Sequence, residues 1–237
     1  MFPFISIRGF RNTSIRRKKL LIFALLGYYD VTVLIIEEEL SRLPTYSEEL
    51  GLDLLRPDDR FKWFLASILF AKRISTEIAK RTYRKFEAEG LTTPDEILAA
   101  GWDRLVQVLD SGGYVRYDFS TASNLLSVMG DLKKKYGDLE ALHSNSVDPR
   151  DLERRLEEFR GVGPVGVNIF LRELRGVWRN ADPKPSRLAI DVAQRLGLEQ
   201  IKPYESALVR VDLEFCKRQK CEECPVKRYC RKRTNMR

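Results

Sequence analysis

The chain has 237 residues and a mass of 27.6 kDa, enough for one large or two modest domains with hydrophobic cores. Apolar residues make up 43% and charged residues 32%, which excludes wholesale disorder and collagen-like structure. Lys and Arg outnumber Asp and Glu by 42 to 34, and most of that excess falls in 216–237, where nine basic residues face two Glu; a local excess suits a polyanion surface.

The longest strongly apolar stretch, 20–29, is ten residues, against the roughly 20 that a bilayer span needs. Arg16, Arg17, Lys18 and Lys19 precede it as in a signal peptide, but no small-residue cleavage site follows and Asp30 ends the run. A buried helix or strand is expected there, in an intracellular protein (cytoplasm or nucleoid) with no membrane partner. The segment 15–39 reads as a helix, or as a helix followed by a short strand, because Val31, Val33, Ile35 and Ile36 are β-branched. Pro44 and the Arg56–Pro57 step break the next stretch. Phe61, Phe64, Leu65, Ile68 and Leu69 then recur at helical spacing, predicting a buried helix over 59–71 that also takes in Trp63.

A second helix is predicted from Thr76 to about Ala88, stopping near Gly90. Thr93, Pro94 and Glu96 form a capping box with a proline start, and Ile97, Leu98, Trp102, Leu105, Val106 and Leu109 give the next helix its apolar face. Ser111-Gly112-Gly113 ends it. A turn holding Tyr114, Arg116 and Tyr117 leads to a helix over 120–136. His143, the single histidine, falls in what reads as a surface loop. Asp148-Pro149 caps a helix reaching Phe159, 159–164 is a tight turn, and the helical pattern resumes through Leu174. Trp178 reads as core or as a pocket wall. Asp182-Pro183 is expected to cap a helix running to Leu196, and 204–215 leads into the cysteines. Short helices joined by short turns indicate an all-α protein.

Two sites stand out. In Gly161-Val162-Gly163-Pro164, glycines around one apolar residue let the chain turn sharply and bring backbone close to a ligand. Pro164 can open the next helix, leaving neighbouring N–H groups, that of Gly163 among them, aimed outward at a helix N-terminus. Such a site suits a phosphate oxygen and carries no base readout. The second site is the cysteine loop, Cys216, Cys221, Cys224 and Cys230, with spacing Cys-x4-Cys-x2-Cys-x5-Cys and no other cysteine in the chain. A disulfide framework would tie distant parts together, whereas four thiols within 15 residues point to a metal, zinc or iron–sulfur.

The stretch LEEFRGVGPVGVNIFL at 156–171, with FKWFLASILFAKRIS at 61–75, RLGL at 195–198 and the terminal cysteines, resembles the helix–hairpin–helix DNA glycosylases of the endonuclease III superfamily. The resemblance covers most of 60–230. It implies a two-lobed all-α fold, with a six-helix core at 60–180 and a second lobe built from 1–59 and 181–237. It also implies a C-terminal [4Fe-4S] cluster on the four cysteines, with zinc the alternative, although four rather than six residues separate Cys216 and Cys221. The function implied is hydrolysis of the N-glycosidic bond of a damaged or mismatched base in duplex DNA, by a monomer whose partner is a duplex with a damaged or abasic nucleotide.

Carried over by residue, the resemblance places DNA contacts at Gly161, Val162, Gly163 and Val165, with Lys72 filling the vacated duplex space. Arg116 and Tyr117 would hold phosphate and stack. Lys217 and Arg218 of the cysteine loop would meet phosphates. Val165 stands where members that cut the backbone carry the Schiff-base lysine, so strong lyase activity is not expected. The position of the family's aspartate falls on Ser186; Asp182 is the candidate carboxylate, with Asp191 the alternative. A base-binding pocket would lie between the lobes. Two other readings stay open: a non-catalytic DNA-binding protein, favoured by Val165 and Ser186, and an abasic-site lyase using an atypical amine.

Overall fold

The computed structural model describes residues 31–231; the basic run at 16–19 and the apolar stretch at 20–29 lie outside it. Among the described residues there is no strand, and the chain is all-α. It divides into two compact units that meet at Leu43/Pro44 and Arg187/Leu188. One is 44–187. The other is described over 31–43 and 188–231.

The larger unit contains α2 (Tyr46–Glu49), α3 (Pro57–Phe70), α4 (Thr76–Ala88), α5 (Pro94–Ser111), α6 (Asp118–Lys135), α7 (Leu139–Ser144), α8 (Pro149–Glu157) and α9 (Pro164–Glu173). Helix α3 runs through its centre. Trp63, Phe64, Leu65 and Leu69 are almost wholly buried, and burying side chains of this size stabilises by about 1.5–3 kcal/mol each. Phe64 makes edge contacts with Phe159 (6.2 Å) and Phe170 (5.2 Å), and the Trp63 Nε1–H donates to the Phe170 carbonyl at 3.2 Å. Helix starts follow local chemistry. Thr45, Ser75, Thr93, Asp138 and Asp148 each accept a backbone N–H with the side chain, satisfying donors that lack partners in the first turn. Pro57 opens α3, so the Arg56–Pro57 step starts a helix rather than breaking one.

Three elements depart from the sequence reading. Helix α5 is broken at Gly101, whose φ of 71° is left-handed, so one apolar pattern serves two helical pieces. Helix α7 lies where a loop was expected, and its His143 stacks on the buried Trp178 with ring centroids 4.5 Å apart. Trp178 is therefore core. Burial holds the His143 imidazole below its usual range, with Glu140 opposing that shift. Asp182-Pro183 starts no helix: 181–186 carries no regular structure, and the helix begins at Arg187.

The smaller unit has α1 (Val31–Ser41), α10 (Arg187–Leu196, which begins at the boundary) and α11 (Glu205–Arg210). Helix α11 widens into a π-helical turn, Val211–Cys216. Despite its β-branched run, 31–41 is helical because Ile36 and Leu40, one turn apart, both enter this unit's core. Ala189, Val192, Ala193 and Leu196 supply the facing stripe of α10. No helix among the described residues is long and apolar enough to cross a membrane.

Candidate nucleic-acid interface at the helical hairpin

Helices α8 and α9 form the hairpin. Asp148 caps α8, and Asp151 in its first turn accepts from the Val147 N–H and from Arg154 and Arg155; these contacts pull its carboxyl down to about 2. At the far end Phe159 and Val162 turn into the core, 1% and 5% exposed. Between and after these anchors Gly161, Gly163, Pro164 and Val165 stay exposed. Gly161 has φ +82°, and a side chain there would also collide with the Asn124 carboxamide, 2.6 Å from its Cγ. Gly163 is the N-cap of α9 without a side-chain cap, and no backbone partner for its N–H occurs among the described residues.

The hairpin thus presents outward backbone at a helix start and is held from beneath by two apolar residues. This arrangement favours an anion. Two other segments flank it. The end of α3 lies against the start of α9, with the Ala71 methyl 3.5 Å from where a Gly166 side chain would begin, which brings Lys72 beside the hairpin. From α9, the Asn168 amide donates to the Lys184 carbonyl at 3.0 Å and so ties 181–186 to the hairpin's second helix.

Asp182 lies in that tied segment. It is exposed, and the buried Arg175 holds it, with Nε 3.6 Å from Oδ1 and one N–H donating to the Pro183 carbonyl at 2.6 Å. Glu153 of α8 faces the same charges. Burial raises its carboxyl, Glu157 and Asp182 raise it further, and Lys184 and Arg150 oppose. Sequence reasoning passed over both Glu153 and Asn124, because an isolated polar residue in a helix reads as a solvated face. Ser186 and Val165 offer no acid or amine, and Val165 is 63% exposed.

Other expected contacts are distributed differently. Tyr114 is wholly buried, donates its hydroxyl to the Leu69 carbonyl at 2.8 Å and is core; burial raises its phenol. Tyr117 is half-buried and carries Arg116 over its ring at 5.5 Å, and Arg116 is exposed. Gly112 is required there, since a side chain would fall 2.6 Å from Thr82 Cα. Asp191 lies on α10 in the smaller unit, where it lines an open groove with Gln194, Arg195, Asp212 and Arg231.

The cysteine loop corrects the expectation built on its spacing. All four thiols are free, Cys221 exposed, Cys224 buried, Cys216 and Cys230 between. Among the described residues no group of three or more His, Cys, Asp or Glu could hold a metal ion, so the spacing translates into neither a [4Fe-4S] nor a zinc site. A closed site needs thiolates converging at about 2.3 Å on one centre. Here the cysteines are spread over separate turns: Cys216 ends the π turn, Cys221 opens one 3-10 turn and Cys230 follows another. Burial raises the Cys216 and Cys224 thiols, with Arg195 opposing the shift at Cys216 and the Val226 N–H opposing it at Cys224, and the net direction favours the neutral form.

Three basic residues of this loop have acidic partners. Lys217 pairs with Asp212 at 3.5 Å, Lys220 with Glu223 at 3.1 Å and Lys227 with Glu222 at 2.6 Å, while Arg218 is exposed. No family model and no curated protein matches the chain.

Proposed function

We propose that the chain binds duplex DNA by its phosphate backbone through the α8–α9 hairpin, and that it removes a damaged or mismatched base hydrolytically with Asp182 as the acting carboxylate. The observation that carries the binding reading is the hairpin itself: exposed Gly161, Gly163 and Pro164 next to the buried Phe159 and Val162, with the Gly163 N–H free of backbone partners. Amides at a helix start take a phosphate oxygen in any sequence, so recognition here is of the backbone.

The excision step rests on Asp182. It is an exposed carboxylate on a segment tethered to the hairpin's second helix, oriented by Arg175. A carboxylate in that place stabilises positive charge developing on the sugar or activates water. With valine at 165, cleavage of the strand through a lysine Schiff base is not expected.

Fluorescence anisotropy of the full chain with labelled duplexes of unrelated sequence tests binding. Gly163→Pro, which deletes the N–H, is expected to weaken all duplexes alike; a loss confined to one sequence or one lesion contradicts the hairpin assignment. Single-turnover release from duplexes carrying uracil, thymine opposite guanine, 5-hydroxymethyluracil or 8-oxoguanine tests excision. Asp182→Asn should abolish release and leave binding intact. Binding with no release from any of these substrates would leave a non-catalytic DNA-binding protein, the reading that Ser186 and Val165 favour.

A further inference from the structure

Asn124 sits in the middle of α6, far in sequence from the hairpin, yet its carboxamide occupies the space that a side chain on Gly161 would need. It is only partly buried, and it makes no hydrogen bond to any described residue. A carboxamide brings two N–H donors and a carbonyl acceptor to the turn. Being only partly buried, Asn124 carries no penalty of an unpaired buried group. Arg160, next to Gly161 in the chain, is exposed and makes no ion pair among the described residues; neither do Lys72 and Arg73, whereas Arg154 and Arg155 are held by Asp151.

We propose that Asn124 is a direct ligand of the DNA backbone, donating from Nδ2 to a phosphodiester oxygen beside the one taken by the α9 N-terminus. The inference rests on the hairpin reading and extends it to a third element. It also gives the Gly161 position a second purpose: the missing side chain leaves room for the amide of Asn124 at the turn's surface. A neutral donor contributes differently from a lysine. It adds affinity without releasing a counterion, so it leaves the salt dependence of binding unchanged, whereas each lysine–phosphate contact contributes about 0.9 to the slope of log K against log salt.

The test uses the full chain and a fluorescein-labelled undamaged duplex, titrated at several salt concentrations, with thermal unfolding of each variant alongside. Asn124→Ala is expected to lose affinity about tenfold or more, as a hydrogen bond to a charged group would, with the slope unchanged and unfolding as in the parent. Asn124→Asp should lose more, by repulsion, and the additional loss should shrink as salt rises. If both variants bind like the parent while Gly163→Pro is weakened, Asn124 is no ligand and the hairpin reading stands. If Gly163→Pro also binds like the parent, the hairpin reading falls and takes this inference with it. Should Asn124→Ala unfold early, Asn124→Ser decides: affinity regained by a shorter side chain that still donates supports the contact, and affinity that merely follows stability overturns it.

Discussion

The hairpin and the cysteine loop both looked like ligand sites, and they differ in what the fold does with their polar groups. At the hairpin, Lys72, Arg73, Arg160 and Asn124 make no internal ion pair or hydrogen bond through their side chains among the described residues, and the Gly163 amide is open. In the loop Lys217, Lys220 and Lys227 each have an acidic neighbour. A count of basic residues favours the loop, since the segment from Cys216 onward holds most of the chain's excess charge. Among the described residues, the charges without an acidic neighbour are Lys72, Arg73 and Arg160 on the hairpin side and Arg218 and Arg228 in the loop, so the loop's advantage disappears. Polyanion binding depends on the second count, because an ion-paired lysine must break its pair before it meets a phosphate.

The largest effect that would break this comparison lies beneath the hairpin. Phe159→Ala removes a wholly buried ring that touches Phe64 and is expected to cost about 3–5 kcal/mol in denaturant unfolding, with loss of duplex binding. If stability falls and binding persists, the turn does not need its anchor. Next is Gly161→Ala, which combines a left-handed φ with a collision against Asn124; about 1–3 kcal/mol is expected, with binding reduced even below the unfolding temperature.

Smaller effects sharpen the contrast in charge. Lys72→Ala should lower the salt slope of duplex binding by about 0.9, while Lys220→Ala and Lys227→Ala should change affinity less than about twofold. Equal losses at all three positions would erase the distinction between paired and unpaired cations. The smallest effect concerns scaffold rather than ligand. Burial keeps the folded His143 imidazole below its ordinary range, so the unfolded chain takes up a proton first as pH falls through about 6.5. Stability is full above that pH and declines below it. The unfolding temperature of the parent is expected to fall more, or rise less, between pH 7 and pH 5 than that of His143→Phe; the reverse difference would refute the assignment.

Much of the helical architecture was legible because its signals are local. Thr93 and Asp148 announce helix starts by the donors they satisfy, and the spacing of Phe61, Phe64, Leu65 and Ile68 announces a buried face. Where local signals left a choice or misled, distant contacts decide. The β-branched run at 31–36, open between helix and strand, is helical because Ile36 and Leu40 have a core to enter. His143 is fixed by a ring thirty-five residues later in the chain. The turn at 161–164 was readable, whereas Asn124 carries no mark in its own neighbourhood and is placed only by the approach of α6 to Gly161. Cysteine spacing was the least transferable signal, since it fixes separation along the chain and not convergence in space.

The two apolar anchors of the hairpin have a thermodynamic consequence. Phe159 and Val162 fix the turn before any ligand arrives, so the conformational entropy of ordering it belongs to folding and not to association. Calorimetry of duplex binding should then show a heat-capacity change close to that of the contact area alone, without the larger decrement that accompanies a segment folding on its target. Encounter should likewise be fast, with electrostatic attraction rather than rearrangement setting its rate.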